Sequence, residues 1–400
     1  MSAMRGKALS LAAMLCAGVV VALAGQPNAG AEPRRPAVTV DVQTYNLDLG
    51  ADLTPLFGAT DIASLRAAAT GVYADVQASE PEQRMRAVAR IIARQRPDVV
   101  GLQEVALWSL APYQLVGPYP LAVGPYVASY DFLALLLRDL AAHGQEYQAV
   151  SINTTFDSAT AIPVAVPISD TTAARYTHRN VIIVSKALAK HATVTNPQQA
   201  NYQAKFTVTL LGQQVSVGRG WASIDITRRG RTFRFLDTHL EAYGLPPLKD
   251  QIRNPQAVEL AGVVTASSNP AIVVGDFNAR PTMCATWRRP PDPDDANTIA
   301  YATLQGAGLA EVWPLVHPGN PCSPASWTSG QTSLRGPVST LSHRIDDVFL
   351  TAGWTALRTD VVGDIASDLS RPDGLWPSDH ASTVARVRLG DRPQLANSPG

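Results

Sequence analysis

Carboxylate, amide and imidazole side chains stand next to short apolar stretches at six separate places in this sequence. They are Asn46 with Asp48, Glu104, His239, Asp276 with Asn278, Asp346 with Asp347, and Asp379 with His380. Each has an ordinary interpretation when taken alone, because Asp and Asn cap turns and tolerate unusual backbone angles. Their repeated position at the ends of apolar stretches favours a shared polar site.

The chemistry that suits this set is hydrolysis of a phosphate ester. Magnesium is a hard cation that binds one or two carboxylates together with phosphate oxygens and water, so Glu104, Asn46 and Asp379 are suitable ligands. Zinc would require more His or Cys ligands than the spacing of these residue types provides. Attack on phosphorus also needs an oriented water and donors to the equatorial oxygens. A carboxylate, a histidine and an amide are able to supply them.

Short apolar runs predict the strands that must position these side chains. Strands are expected at residues 37–43, 98–102, 181–184, 206–211, 222–226, 232–236, 271–274, 347–350 and 383–387. Many short strands with interspersed helices, and no regular βαβ alternation, favour an α+β fold in which helices cover packed sheets.

Three stretches have helical patterns. Residues 79–82 resemble a capping box, and apolar residues then recur at helical spacing up to Pro97: Met85, Val88, Ile91 and Ile92. Residues 132–142, ended by Gly144, and residues 256–266 predict two further helices. Between the predicted elements, the Pro- and Gly-rich stretches 111–128, 281–296 and 318–337 predict long loops, which in compact domains are usually functional walls or insertions.

The balance of charge constrains the partner. The chain has 400 residues, 46% of them hydrophobic, and a formal net charge of zero. Nucleic-acid binding through counterion release usually requires a basic excess or a basic stripe, and the sequence has neither. A chain of this length buries a substantial core without help from a metal or from many disulfides. No obligate protein partner is evident, and a monomer is expected.

Six motifs together resemble those of the endonuclease/exonuclease/phosphatase family. They are Thr44-Tyr-Asn-Leu47, Gly101-Leu-Gln-Glu-Val105, Asp237-Thr-His-Leu240, Gly275-Asp-Phe-Asn-Ala279, Arg344-Ile-Asp346 and Ser378-Asp-His380. They occur in the family's order and span residues 44–380. The resemblance implies a four-layered α/β sandwich, with two packed mixed β-sheets flanked by helices and a site at one edge.

The resemblance also implies a metal centre and a water-activating group. Glu104 matches the family's principal metal ligand, and Asn46 and Asp379 match residues that complete the surroundings of the ion. The ion is expected to be Mg²⁺, with Mn²⁺ or Ca²⁺ as alternatives. Asp276 matches the carboxylate that orients or activates the attacking water, and Asn278 matches an amide that contacts the phosphate.

The remaining roles implied by the resemblance belong to histidines and one arginine. His380 matches a histidine that contacts the phosphate or acts as base, with Asp346 as its carboxylate partner. His239 matches a second histidine of the deoxyribonuclease and sphingomyelinase branches, where it aids the leaving group. Arg179 lies where several members place a basic residue that binds phosphate.

The N-terminus predicts export. Arg5 and Lys7 precede an apolar stretch over residues 8–24, and small residues follow. This layout is typical of a secretory signal peptide, here over residues 1–31. A catalytic domain is expected over residues 37–390 and a loose tail over 391–400, with no transmembrane segment in the mature chain. An oxidising compartment would permit a disulfide between Cys284 and Cys322, although their pairing stays open.

Three functions remain compatible with the sequence. The first is a secreted phosphodiesterase acting on nucleic acid or phospholipid. Ala106 stands where pancreatic-type deoxyribonucleases carry a basic residue that contacts DNA, and the residues around it are apolar. The second is a phosphomonoesterase such as a phosphoinositide phosphatase, which usually needs a dense basic cluster that is not evident here. The third is an inactive binding domain on the same scaffold, and the complete set of site residues argues against it.

Overall fold

The two main β-sheets of this protein pack face to face, and helices cover their outer faces. The computed structural model describes residues 36–244, 248–284 and 298–390. Three groups of buried apolar residues separate the four layers. This arrangement confirms the predicted α+β sandwich. The predicted signal peptide and C-terminal tail lie outside the described residues.

The first sheet has ten strands. They are β1 (Val38–Asn46), β2 (Val99–Gln103), β3 (Leu107–Val116), β4 (Tyr119–Ala122), β5 (Val127–Asp131), β6 (Tyr147–Asp157), β7 (Val166–Pro167), β8 (Thr172–Ser185), β17 (Trp354–Val362) and β18 (Ser382–Leu389). The hydrogen-bonded order is β17-β18-β1-β2-β8-β3-β4, with β5 paired to β3, and β6 and β7 paired to β8. Only β1 and β2 run parallel among these pairs.

The second sheet has six strands in the order β15-β16-β14-β13-β12-β9. Their bounds are β9 (Ala192–Asn201), β12 (Gly220–Arg228), β13 (Arg231–His239), β14 (Ala271–Asp276), β15 (Ala310–Glu311) and β16 (Asp346–Leu350). The β13–β14 pair is parallel. A separate two-stranded hairpin consists of β10 (Phe206–Leu210) and β11 (Gln213–Val217).

The helices form the outer layers. They are α1 (Thr54–Phe57), α2 (Ile62–Ala78), α3 (Pro81–Gln95), α4 (Phe132–Ala142), α5 (Ser158–Ala161), α6 (Lys186–Ala189), α7 (Leu248–Thr265), α8 (Ile299–Gly306) and α9 (Val312–Val316). Residues of α2, α3 and α4 pack on the first sheet, and those of α7 and α8 pack on the second. In the described parts of the chain, no helix has both the length and the apolar character needed to cross a bilayer.

The central core lies between the two sheets, where β-branched and aromatic side chains from both sheets interdigitate. Val40 and Ile182 of the first sheet belong to the same buried cluster as Phe235 and Ile272 of the second. Each fully buried side chain of this kind contributes about 1.5–3 kcal/mol. The apolar face predicted for the first helix is also fully buried, in α3, which confirms its helical spacing.

The capping box predicted at residues 79–82 is wrong. Ser79 ends α2, where its hydroxyl donates to the carbonyl of Val76 at 2.8 Å. Glu80 then adopts a left-handed conformation, with φ of 50°, and caps nothing with its side chain. Pro81 begins α3 because its fixed φ suits the first helical turn. The N–H groups of that turn have no acceptor within the helix, so a proline there costs no hydrogen bond.

Residues 111–128 form strands rather than the predicted loop. β3 and β4 make an antiparallel hairpin, and β5 pairs with the other part of β3. Pro120 is tolerated because it lies in β4, the last strand of the sheet, where a residue without an N–H removes few hydrogen bonds between strands. The stretch 318–337 is irregular apart from a short 3₁₀ turn at Pro324–Ser326, and most of 281–296 lies outside the described residues. The helix predicted at 256–266 begins earlier, at Leu248.

A disulfide joins Cys284 to Cys322, with their Cα atoms 5.4 Å apart. The sequence left this pairing open. The bond connects the short 3₁₀ turn Thr282–Cys284 to the loop that precedes Arg344.

Removing this disulfide is expected to lower the free energy of unfolding. The two cysteines are separated by 38 residues, and loop-closure entropy for such a length gives about 3–4 kcal/mol. Denaturant unfolding of the double variant Cys284→Ser/Cys322→Ser should show a loss of this order. Wild-type protein in reductant should behave like the variant, and the variant should not respond to reductant. Equal stability of oxidised and reduced wild-type protein would contradict the prediction.

Candidate active site

Strand direction brings the predicted site residues to one edge of the sandwich. The parallel pair β1–β2 ends there with Asn46 and, one residue beyond β2, Glu104. The parallel pair β13–β14 ends there with His239 and Asp276. β16 runs antiparallel to β14, so its first residue, Asp346, lies directly opposite Asp276. Distant stretches of the chain therefore deliver polar side chains to the same place.

Asp276 lies at the centre of this edge and is buried. Its Oδ2 accepts a hydrogen bond from Nδ2 of Asn46 at 3.0 Å. The same oxygen lies 3.4 Å from Nε2 of His239 and 3.9 Å from Nε2 of His380. Its Oδ1 accepts the backbone N–H of Asn278 at 2.9 Å. Since Asn46 belongs to the first sheet and Asp276 to the second, this carboxylate joins the two sheets at the site.

His380 and Asp346 form a buried ion pair. Nδ1 of His380 lies 2.8 Å from Oδ2 of Asp346. Burial alone would lower the pKa of His380, but the carboxylates of Asp346 and Asp379 raise it well above its usual value. Burial raises the pKa of Asp346 to about 6, and His380 opposes that shift. The imidazole is therefore held in its charged form, with its Nε2–H on the side of Asp276.

Arg219 is a buried cation that the sequence analysis did not single out. Its Nη1 donates to Nε2 of His178 at 3.2 Å and to Nδ1 of His239 at 3.1 Å. Its other nitrogens lie 3.4 Å from Oε1 of Glu241. The available signal was the Gly-Arg-Gly triplet at residues 218–220, whose last glycine begins β12. A Cβ on the second of these glycines, Gly220, would lie 2.3 Å from a backbone oxygen of β9, so only glycine allows the close approach that places Arg219.

Arg219 fixes the tautomers of both histidines, because a guanidinium can only donate. His178 therefore accepts at Nε2, and its ring proton lies on Nδ1, 2.6 Å from Oγ1 of Thr155. His239 accepts at Nδ1, so its neutral ring carries the proton on Nε2, facing Asp276. Burial, and then the charge of Arg219, lower the pKa of both histidines well below the usual value.

Asn278 contacts the same part of the site. Its Nδ2 donates to the carbonyl of Leu240 at 3.0 Å and lies 3.1 Å from Nε2 of His239. An amide nitrogen cannot accept a proton from the ring. Of these two neighbours of Nε2, only the carboxylate of Asp276 can accept the hydrogen bond of His239.

Three carboxylates surround the turn that follows β1. The backbone N–H of Leu49 donates to Oε2 of Glu104 at 2.9 Å. Burial raises the pKa of Asp379 to about 7 and also raises the pKa of Glu104, and the negative charge of Asp48 adds to both shifts. Neighbouring carboxylates raise one another's pKa because their negative charges repel, and a bound hard cation would neutralise that charge. The donor set around Glu104 and Asp379 therefore fits a divalent ion.

Two other groups of side chains have ligand atoms within 4.8 Å of one another: Glu104, His178 and His239, and Asp276, Asp346 and His380. The first suits a metal poorly, because Arg219 donates to both of its histidines. The second contains the imidazole whose proton Asp346 holds. Glu104 and Asp379 do not occur together in either group, and the role of Asn46, Glu104 and Asp379 as ligands of Mg²⁺ stays a prediction.

Three residues at this site have a left-handed backbone conformation, out of eight non-glycine residues with positive φ in the described part of the chain. Asp48, Glu104 and Asn278 have φ angles of 54°, 53° and 48°. Non-glycine residues in this region cost on the order of 1–3 kcal/mol, and they persist where the surroundings determine them strongly. Three such residues in one small region indicate that side-chain placement is maintained there at the expense of backbone energy.

The structure does not bring Arg179 into the cluster. Arg179 and His178 are neighbours in β8, so their side chains face opposite sides of the sheet. Arg179 donates to the carbonyl of Val105 at 2.9 Å and to Oδ1 of Asp131 at 2.6 Å. Arg179 therefore stabilises the turn that follows Glu104. These contacts give no support to the predicted binding of phosphate by Arg179, and the buried cation at the cluster is Arg219.

Comparison with known proteins assigns the family. The sequence model described as the Endonuclease/Exonuclease/phosphatase family matches residues 44–380. This chain belongs to that family. Members of the endonuclease/exonuclease/phosphatase family are hydrolases that act on phosphate esters. A search of curated proteins found no match.

Several solved structures are similar to this one. The endonuclease/exonuclease/phosphatase from Bacteroides vulgatus is 15% identical over 88% of this chain and 99% of its own, with a TM-score of 0.51. The protein of the same description from Beutenbergia cavernae is 21% identical over 88% of this chain and 72% of its own, with a TM-score of 0.49. D. rerio TDP2, solved with a single-strand DNA product, is 14% identical over 87% and 98%, with a TM-score of 0.47. The likeness to the Bacteroides vulgatus protein is one of fold.

The three buried histidines are expected to differ in protonation at pH 7. Long-range ¹H–¹⁵N spectra should show His178 neutral with its proton on Nδ1, His239 neutral with its proton on Nε2, and His380 charged. Burial, and then the charge of Arg219, lower the pKa of the first two, whereas carboxylates raise the pKa of His380 against its burial. Single His→Gln variants assign the signals. In Asp346→Asn the pKa of His380 should fall, since burial is then opposed by one carboxylate fewer. A charged His239 at pH 7 would contradict the proposed arrangement.

Proposed function

We propose that this protein is a secreted, divalent-metal-dependent phosphodiesterase that hydrolyses nucleic acid or phospholipid. The observation that carries the proposal is the position of Asp276. It lies within reach of two imidazoles in different protonation states and is hydrogen-bonded to Asn46, beside the carboxylates of Glu104 and Asp379. These contacts support a site in which the groups proposed to bind metal and to transfer protons lie at one edge of the sandwich.

Glu104, Asp379 and Asn46 would hold the ion, with Mg²⁺ as the expected species and Mn²⁺ or Ca²⁺ as alternatives. Once bound, the ion would supply positive charge that polarises the phosphoryl group. The oxygen ligands are pre-oriented by the protein. The backbone N–H of Leu49 donates to Glu104. The hydroxyl of Ser378 donates to the carbonyl of Asn46 at 2.7 Å and lies 3.3 Å from Oδ1 of Asp379.

Asp276 would orient the water that attacks phosphorus. Its Oδ1 is held by the backbone N–H of Asn278, and its Oδ2 is held by Asn46. Both bonds restrain the carboxylate, which therefore presents a fixed acceptor to a water molecule. The Asn278 amide lies beside His239 and is placed to contact the phosphate.

The two histidines would act differently. His380 is charged and paired with Asp346, so its Nε2–H can stabilise negative charge on a phosphoryl oxygen. His239 is neutral. Its Nε2–H faces Asp276 and can pass from that carboxylate to the leaving oxygen when substrate is bound, without bringing a second full charge into the site. Arg219 is thus a positioning residue, since it acts on the substrate through His239.

Two features support secretion. The N-terminal pattern of residues 1–31 is that of a signal peptide. The disulfide between Cys284 and Cys322 suits an oxidising compartment.

Metal-dependent turnover tests this function. Purified mature protein with Mg²⁺ would be tested in parallel on bis(p-nitrophenyl) phosphate, plasmid DNA, RNA, sphingomyelin, phosphatidylcholine and a phosphoinositide. Glu104→Gln, Asp276→Asn and His380→Ala should each lower kcat by about 10²-fold or more, since each removes charge stabilisation or water activation. Chelation of the metal should abolish turnover.

Glu82→Gln is the matched control, because Glu82 is an exposed glutamate on α3. It should leave activity unchanged. Activity that survives chelation, or that survives both Glu104→Gln and His380→Ala, would refute the assignment. Phosphate release from a monoester without cleavage of any diester would favour a phosphomonoesterase instead.

A further inference from the structure

A deep apolar cavity opens beside the candidate active site. Its volume is about 70 Å³, several times the space that one water molecule needs by the same measure. Its walls come from α1, α2, β3, β8 and the hairpin β10–β11, and they include Leu56, Ala69, Trp108, Tyr176, Leu210 and Val215. A cavity this large in a packed domain is a candidate site for an apolar ligand, because protein interiors otherwise leave few voids larger than a water molecule.

The cavity adjoins the candidate site through residues that contact its catalytic groups. Arg219 and His178 lie at its polar end, and Arg219 contacts His239 directly. Leu49 also lines the cavity, while its backbone N–H holds Glu104. A ligand whose phosphate sits at the site would therefore have the cavity next to it.

The chemistry of the lining favours a hydrocarbon over a nucleobase. The hydroxyl of Ser158 accepts the backbone N–H of Tyr176 at 2.9 Å, and the ring nitrogens of His178 are bonded to Thr155 and Arg219. A buried base would leave its donors and acceptors unsatisfied in such a pocket. In the described part of the chain, the buried hydroxyl of Tyr176 has no hydrogen-bond partner. This single polar atom suits one ester or amide group of a ligand.

A second apolar feature lies outside the cavity, on the hairpin β3–β4 and the start of β5. Six large apolar side chains there are exposed, from 41% (Leu121) to 67% (Val127); the others are Leu115, Val116, Tyr119 and Val123. No residue between Glu104 and Asp131 is charged or is a histidine, although 16% of the whole chain is charged. Clusters of exposed apolar side chains of this kind mark interaction sites.

The hairpin and the cavity share a wall. The backbone N–H of Ala165 donates to the carbonyl of Pro120 in β4 at 2.9 Å. Ile162 and Val166, on either side of Ala165, both line the cavity. A lipid surface in contact with the hairpin would therefore lie next to the residues that form the cavity.

We propose that the substrate is a phosphodiester lipid presented by a zwitterionic bilayer. Its hydrocarbon enters the cavity beside its phosphate, and the uncharged hairpin contacts the lipid surface. This inference rests on the proposed phosphodiesterase function and narrows its substrate class. A surface for nucleic acid would need lysines or arginines to neutralise phosphates, and the hairpin has none.

Filling the cavity is expected to impair turnover of lipid selectively. Ala69→Phe on α2 places a ring in the cavity, whereas Ala67→Phe adds the same ring to the exposed face of the same helix. With Mg²⁺, Ala69→Phe should lower kcat/KM for long-chain sphingomyelin or phosphatidylcholine in mixed micelles by about tenfold or more. Its kcat/KM for bis(p-nitrophenyl) phosphate should match that of Ala67→Phe and of wild-type protein.

Val215→Trp fills the cavity from the opposite wall and guards against a folding defect in Ala69→Phe. At least one of the two variants, Ala69→Phe or Val215→Trp, is expected to lose kcat/KM for the long-chain lipid and to keep it for the soluble diester. The lipid inference is overturned if neither variant shows it, or if wild-type protein cleaves the soluble diester but prefers a short-chain lipid over a long-chain one. In that case the phosphodiesterase function still stands. Absence of turnover on every diester would instead overturn the function itself.

Vesicle binding tests the hairpin without any need for catalysis. Wild-type protein should sediment with phosphatidylcholine–sphingomyelin vesicles, and Val116→Asp should bind about tenfold more weakly, because a charge replaces an apolar side chain at the lipid contact. The matched control is Val258→Asp on α7, since Val258 is 56% exposed and Val116 is 58% exposed.

Three outcomes would overturn the membrane contact. One is equal binding by the two variants, and another is binding only to anionic vesicles. The third is a wild-type dimer in light scattering that Val116→Asp converts to monomer without any change in vesicle binding, which would assign the hairpin to contact with a second copy.

Discussion

The buried carboxylate of Asp276 is the interaction on which the geometry of the site depends. A carboxylate placed alone in the interior would be strongly unfavourable, so its donors must be present for the fold to form around it. Those donors come from both layers, because Asn46 ends a strand of one sheet and Asn278 follows a strand of the other. The site therefore assembles only when the two sheets pack together. A shift of one sheet against the other would separate Asn46 from Asp276 before it disrupted the apolar core.

Neighbouring charges then give chemically identical side chains different states. His239 and His380 both face Oδ2 of Asp276 and both are buried. Arg219 holds the first neutral, and Asp346 holds the second charged. The site thus gains one cationic donor and one neutral donor from two imidazoles. On the opposite side of Asn46, the carboxylates of Glu104 and Asp379 form a region whose negative charge a divalent ion would neutralise.

How far the sequence predicts this site depends on where each residue lies relative to the apolar runs. Asn46, Asp276 and Asp346 stand at the ends of strands, so a strand prediction places them directly. His178 lies inside β8, and Arg219 reaches the site only because two glycines let its segment approach β6 and β9 closely. Such contacts depend on pairing between distant strands, which local patterns do not contain. The hairpin at residues 111–128 was missed for a similar reason, because its prolines and glycines indicate a loop until the edge of the sheet is known.

One strand links the exposed apolar hairpin to the turn that contains Glu104. β3 begins three residues after Glu104, and its exposed end forms the apolar hairpin. Its buried part contains Trp108, which lines the cavity and donates its indole N–H to the carbonyl of Leu49 at 3.0 Å. Leu49 in turn holds Glu104. A short series of contacts therefore joins three features: the apolar hairpin, the apolar cavity and the carboxylate of Glu104. This segregation would allow a charged reaction centre to work beside a bilayer, because the carboxylates lie within the sandwich while the exposed side chains of the hairpin are uncharged.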